Sequence, residues 1–440
     1  MSIAMPRRRA AAVALAFAAA TIVGSPVRAV EPVTSTAIPQ PGPIDESGDI
    51  QGAPYRIRVP AVWNGTLLVF AHGYRDKADH PGEVDNRNAD VAPSAALEAP
   101  LLAQGYALAG SAFRDNGWAI KEGSKDLSRL VKYFKKTIAD PPRTILWAAS
   151  TGSIIALRAM EKQVPGLYDG GLALCGMGAG ATRTWDQMGD LTLAYDTVFG
   201  FPPSWGSYAN VRDDIDFDTE VLAKLAPELS NIANFPKFEF LRLVTGIPGR
   251  GITPPPPPSF FPVWALTDMF FATEARSELE RRAGGAIYAN SGRTYAITPA
   301  ERAYLAGIGL PSPVVDGWLA QMNGQANVTA SKNARKYLAE NSDFKGGIKA
   351  PVLTLHTVVD PLATVAHEAE YAATVNAAGR SSLLYQAYTS GVGHCSFTGP
   401  QLLSAVAAID SWVQSGVPPT AASFPAALGY VPGFVPPHMN

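Results

Sequence analysis

Residues 147–153 read Trp-Ala-Ala-Ser-Thr-Gly-Ser, and whether Ser150 closes an ordinary turn or is held up as a reactive group decides how the rest of the chain is understood. The residues before it, Thr144 to Ala148 ("TILWA"), have the apolar, β-branched character of a buried strand. Those after it, Ser153 to Lys162, place Ile154, Ile155, Leu157 and Met160 in a helical rhythm that Pro165 ends. A strand that turns sharply through a serine into a helix needs small neighbours. The pattern Gly-x-Ser-x-Gly supplies them, and here Gly152 is retained while Ala148 stands in the first glycine's place.

Working outward, the same grammar recurs on both sides. Strand-like runs at 66–73 (TLLVFAHG), 105–113 (GYALAGSAF), 144–150 and 170–176 (GGLALCG) alternate with helical patterns, which predicts a mainly parallel sheet flanked by helices. After a long interruption come two more, 350–357 (APVLTLHT) and 381–389 (SSLLYQAYT), each followed by a helix. The expected core is therefore 30–180 and 330–440, with 181–329 as an inserted cap. The insertion is rich in proline and aromatics, among them Trp185, Phe199, Trp205, Trp264 and Phe271, and carries the run Pro254–Pro258, a stiff spacer. These aromatics form either the insertion's own core or the wall of an apolar cleft. The acidic run 212–220 (RDDIDFDTE) lacks the glycine and closing glutamate of an EF-hand loop and is expected to cap the helix after it. The tail beyond 417 is expected to be irregular chain on the surface.

At 440 residues, 47% hydrophobic and 17% charged, the chain can bury a large core. Residues 1–29 have a basic start, a short alanine-rich apolar run and a Val27-Arg28-Ala29 end, which predicts a cleaved signal peptide and a secreted or periplasmic mature protein. The apolar run is short for a membrane span. Losing this segment removes four arginines and no acid, moving the formal net charge from -2 to -6, so nucleic-acid partners are excluded. The two cysteines, Cys175 and Cys395, are a candidate disulfide in an oxidising compartment and too few for zinc.

A serine hydroxyl attacks poorly without a base that a third group holds in place. His394, in the glycine-rich loop after the last strand, is the candidate base; His356 lies inside a strand and reads as buried structure, and His367 lies in a helical pattern. Asp360, after the penultimate strand, is the candidate that fixes the imidazole tautomer, although an Asp-Pro pair also caps helices. His72-Gly73-Tyr74 ends a strand, so the amides of Tyr74 and Thr151 are candidate donors to an oxyanion, with His72 shaping the loop.

This combination resembles the α/β-hydrolase superfamily over residues 55–178 and 345–415: an elbow serine, then the acid, then the histidine, on the expected segments. The resemblance implies an α/β-hydrolase fold and a Ser150–Asp360–His394 triad with an oxyanion hole at Tyr74 and Thr151. A narrower likeness is to tannases and feruloyl esterases, where a cysteine beside the serine is bonded to one beside the histidine. Here Ala149 precedes Ser150, and the likeness implies instead a disulfide between Cys175 and Cys395; two buried free thiols are the alternative. The expected activity is that of an exported carboxylic ester hydrolase acting on hydrophobic, aromatic or polymeric esters, with no metal or organic cofactor. A peptidase or amidase, whose acidic cap residues bind a substrate amine, and a noncatalytic binding protein are the other readings.

Overall fold

A computed structural model describes residues 38–162, 166–247 and 261–439. The expected signal peptide, Pro165 and the run Pro254–Pro258 lie outside the described residues. The central sheet has eight strands: β1 (Ile44–Ile50), β2 (Ala53–Val59), β3 (Thr66–Ala71), β4 (Ala107–Ser111), β5 (Arg143–Ala149), β6 (Gly170–Leu174), β7 (Val352–Val359) and β8 (Leu384–Val392). In this numbering the order across the sheet is β1-β2-β4-β3-β5-β6-β7-β8. The last six strands in sequence run parallel to one another, while β2 is antiparallel to β4 and β1 to β2.

Sequence pattern and position in the sheet agree. Strands β3, β4 and β6 are buried at every position, as strands covered on both faces must be. By contrast β2 alternates, with Ala53, Tyr55, Ile57 and Val59 inward, because it lies next to the exposed edge strand β1. The β1–β2 hairpin was not among the expected strands. Its signals are this alternation and the turn at Gln51-Gly52, both with positive φ, a backbone that suits a tight hairpin.

Helices cover both faces. On one side Ile120–Thr137 and Thr151–Lys162 bury Leu127, Leu130, Phe134, Ile154 and Met160 against the sheet. On the other, Gly399–Ser415 buries Leu402, Val406, Ile409 and Trp412. The same helix carries Asp410, whose carboxylate accepts from Thr66 Oγ1 (2.9 Å), Tyr106 Oη (3.2 Å) and Arg143 Nε (2.9 Å). Thr66 opens β3, Arg143 opens β5 and Tyr106 directly precedes β4, so one buried carboxylate ties three adjacent strand beginnings to the last helix.

Between β6 and β7 the chain is helical, including Ala181–Phe199, Phe235–Thr245, Phe261–Phe270, Arg276–Ala283 and Ser312–Gly324. Trp185, Trp205, Phe238 and Trp264 are buried there. Glu278 of this segment accepts the Trp118 amide (3.0 Å) in the loop after β4, fastening these helices to the sheet. In the acidic run, Asp216 caps the following helical turn through the Thr219 amide (3.0 Å), while Arg212 pairs with Asp214 and Glu220. Beyond 417 the tail folds back, and Tyr430 bridges Thr389 at the sheet's edge. Among the described residues no helix is long and apolar enough to cross a membrane.

Replacing Asp410 by Ala leaves Arg143 without its partner in a site closed to most solvent, where breaking such a pair costs about 3 kcal/mol. The midpoint of urea unfolding is expected to fall accordingly, whereas Asp49→Ala on the exposed edge hairpin moves it little.

Candidate active site

At the end of β5 the chain enters Ser150 with φ of 54°, a left-handed backbone that is uncommon for a residue with a side chain. Its amide donates to the Leu174 carbonyl (2.9 Å) and its carbonyl accepts from Ser153 N (2.9 Å), so the turn is pinned from both sides. Gly152 explains why the pattern demands glycine: a Cβ there would lie 2.4 Å from the carbonyl oxygens of both Ala71 and His72. Ala148 explains why the other glycine is dispensable, since it sits within β5, paired with Ala71 and Ala173, and its methyl joins the buried core.

The histidine loop follows β8. Gly393, at φ of 118°, donates to the Val359 carbonyl (2.8 Å), and its own carbonyl accepts from Thr357 Oγ1 (2.9 Å). His394 is thereby delivered over the serine: its Nε2 lies 2.8 Å from Ser150 Oγ, and its Nδ1 lies 2.9 and 3.1 Å from the two carboxylate oxygens of Asp360. The Nδ1 proton goes to Asp360, which leaves Nε2 free to accept from the serine hydroxyl. Asp360, fully buried, also accepts the amides of Leu362 (2.9 Å) and Ala363 (3.0 Å) through Oδ1. Capping and histidine orientation, the two readings of Asp-Pro, are thus made by one side chain.

Cys175 and Cys395 form a disulfide, with Cα atoms 5.2 Å apart and a sequence separation of 220. It joins the end of β6 to the residue after His394. In the chain-entropy model a loop of this size is stabilised by roughly 5 kcal/mol. Both cysteines have positive φ, so the bond links the turn directly after β6 to the turn that carries His394.

Of the predicted oxyanion donors, Thr151 opens the elbow helix, where the first amides have no partner within the helix. Tyr74 follows Gly73, whose Cα lies so close above the serine that a Cβ there would be 3.1 Å from Ser150 Cβ. The Tyr74 ring packs edge-on against Phe270 and Phe271 of the insertion. His72 does what its position in sequence implies: its ring stacks on Phe113, Nδ1 donates to the Gly73 carbonyl (2.7 Å), and burial aided by the Arg75 charge lowers its pKa to about 4. The structure therefore brings Ser150, Asp360, His394, Thr151, Cys175, Cys395 and the Tyr74 loop to one rim of the sheet. The remaining predicted histidines, 356 and 367, sit beneath it.

His356 is fully buried in β7, with Nε2 2.6 Å from the Ala363 carbonyl and Nδ1 3.2 Å from Glu368 Oε1. Burial alone would lower its pKa; the hydrogen bond to Glu368 and the charges of Glu368 and Asp360 more than offset this, and the net shift is upward. It thus supports the Asp360 turn from below. His367 accepts the Ala179 amide through Nδ1 (3.2 Å), and burial, with the His356 charge, lowers its pKa to about 3.

Above Ser150 and His394 lies a narrow cavity of about 20 Å³, lined by Trp118, Met177, Trp185, Met188, Phe271 and Leu362 among others, enough for about one water. Trp118 and Leu362 were not anticipated from sequence. Neither sits in a recognisable motif, and only the fold carries them to the serine.

The strand order, the elbow at the end of β5, the acid after β7 and the histidine after β8 are now all in place. The chain has the α/β-hydrolase fold. No protein-family model matches it and no curated protein does. Among solved structures it is similar to feruloyl esterase B from Aspergillus oryzae, with 14% identity over 85% of this chain and 80% of that one and a TM-score of 0.38. Another esterase from Aspergillus oryzae gives 13% identity over 83% and 78%, with a TM-score of 0.37. The proline iminopeptidase of Mycobacterium smegmatis gives 13% over 84% and 97%, with a TM-score of 0.34. The fold assignment rests on strand order and the elbow, and none of these likenesses bears on the substrate.

The buried histidines make stability depend on pH. His72 and His367 have folded values of about 4 and about 3 against an ordinary 6.5, so the unfolded chain takes up protons first as pH falls. Their contribution is complete above about pH 6.5 and is lost toward pH 4 and 3. His356, shifted upward, acts in the opposite sense, contributing below about 6.5 and losing that contribution as pH rises through its folded value. The urea midpoint is expected to drop between pH 6.5 and 4, and less steeply in His367→Gln, which keeps an acceptor for the Ala179 amide but removes one titrating group.

Proposed function

We propose that the chain is an exported serine hydrolase that cleaves carboxylic esters through an acyl-enzyme. The observation that carries this is the hydrogen-bonded series Ser150 Oγ, His394 Nε2, His394 Nδ1 and Asp360, at 2.8 and 2.9 Å. A hydroxyl, a base within proton-sharing reach and a buried carboxylate fixing the base's tautomer are the parts that acyl transfer requires.

In this mechanism Ser150 Oγ attacks the substrate carbonyl as His394 Nε2 takes its proton. Negative charge gathers on the carbonyl oxygen and is met by the amides of Tyr74 and Thr151, each such donor contributing about 10²-fold in rate. The imidazolium, stabilised by Asp360, gives its proton to the departing alkoxide, leaving an ester between Ser150 and the acyl group. Water then attacks this ester as His394 takes up its proton and returns it to Ser150 Oγ, and the carboxylic acid leaves. No step calls for a cofactor. The apolar cavity lining of Trp118, Met177, Met188 and Phe271 supports hydrophobic or aromatic acyl groups, with 181–329 acting as the cap. The disulfide and the signal-like leader support a site of action outside the reducing cytosol.

A fluorophosphonate probe is expected to label the oxidised protein rapidly and Ser150→Ala not at all, while turnover of p-nitrophenyl esters falls by about 10⁴-fold or more in that variant. Hydrolysis that survives in Ser150→Ala, or an enzyme that cleaves aminoacyl anilides and leaves the esters intact, would overturn the ester-hydrolase reading.

A further inference from the structure

A second cavity, of about 310 Å³, opens between the helices Ile120–Thr137 and Thr151–Lys162 and shares no lining residue with the space over Ser150. Its volume is that of a small-molecule site. One side of it is apolar: Ile120, Ile155, Leu167 and the ring of Tyr168 line it, and all four residues are buried.

The rest of the lining is cationic. Lys121 and Lys125 stand one turn apart on the first helix, Arg158 and Lys162 one turn apart on the second, and no acid lines the cavity. A spacing of four puts the members of each pair on one helix face, where like charges repel. Burial, and after it the Arg158 charge, lowers the pKa of Lys162, and burial lowers that of Arg158.

The acids nearby face other partners. Glu161 accepts the amides of Lys345 (2.8 Å) and Gly346 (2.5 Å), Asp343 accepts that of Thr182 (2.9 Å), Glu340 pairs with Lys336 (3.7 Å) and Glu122 with Arg282 (3.6 Å). Arg158 donates to the main-chain carbonyls of Glu340 and Asp343. Among the described residues, none of the four cations has a carboxylate as ion-pair partner. Two deficits therefore meet in one recess. Water hydrates the ammonium groups and leaves the apolar side wet, and a neutral apolar guest covers that side and leaves the charges unbalanced. An anion with an apolar body answers both.

We propose that this cavity is a binding site for an amphiphilic carboxylate, with its apolar body against Ile120, Ile155 and Leu167 and its head among Lys121, Lys125 and Lys162. The volume suits a body of roughly the size of an octyl chain. Arg158, whose guanidinium is held by main-chain carbonyls, contributes charge to the wall. The site is independent of the chemistry at Ser150.

The test is calorimetric titration of the oxidised protein with sodium octanoate, octanol and inorganic phosphate at low ionic strength. Octanoate is expected to bind saturably below about 1 mM, and octanol and phosphate at least about tenfold more weakly. In Lys121→Gln/Lys125→Gln/Lys162→Gln, which removes three exposed charges and leaves the helices intact, octanoate binding is expected to fall by about tenfold or more. Ala159→Phe, which fills the cavity and keeps every charge, is expected to weaken it as much. Absent octanoate binding, or binding undiminished in the triple variant, overturns the proposal. So does phosphate binding as tight as octanoate binding, which marks simple counterion attraction, or octanol binding as tight, which marks an apolar crevice alone. Binding of phosphatidylglycerol vesicles without binding of octanoate likewise overturns it in favour of a lipid surface.

Discussion

The left-handed turn at Ser150 is the constraint on which the rest of the site depends. A residue with a side chain enters that conformation only when its surroundings leave no alternative, and here they come from three strands. The Leu174 carbonyl after β6 holds the Ser150 amide, the end of β3 presses its carbonyls against Gly152, and β5 delivers the serine from below. The strained residue is held by the parallel sheet itself, so the hydroxyl stands at the rim with little freedom to retreat. The near-continuous burial of β3, β5 and β6 is the source of that rigidity.

A second layer of order lies beneath the acid. Asp360 is held by two amides and faced by His394 above, while His356 donates to the carbonyl of Ala363, one of the two residues whose amides hold it. Glu368 takes the other imidazole nitrogen and also the hydroxyl of Thr354. Three elements, β7, the turn at 360–363 and the helix Ala366–Ala377, are locked through one imidazole. Orientation of His394 is therefore inherited from the core as well as from its own loop, which the disulfide and Gly393 hold from the other side.

Much of this was legible in the sequence because its signals are local. The six strands named from apolar runs all occur, and the elbow could be read because a strand, a serine with small neighbours and an amphipathic helix stand next to one another in the chain. Asp360 and His394 could be placed because each follows a recognisable strand by a few residues. The hairpin β1–β2 was passed over because half its residues face solvent, so that its alternation is diluted by the acids of β1. Trp118, Leu362 and the His356–Glu368 pair were out of reach for another reason: their neighbours are distant in sequence, and no pattern of residue types marks such a meeting.

The tightness of the space above the serine bears on how selectivity arises. A void that admits about one water is no mould for a substrate, and under the proposed ester hydrolysis an acyl chain would reach the hydroxyl only by displacing indole, thioether or phenyl groups from their resting places. Discrimination between compounds is then governed by the work of parting those walls and by what each guest returns in contacts, more than by its match to a ready-made shape. Such a site would respond to trimming of the side chains that line it differently from an open trough, because shortening one of them changes the work of entry for every guest at once.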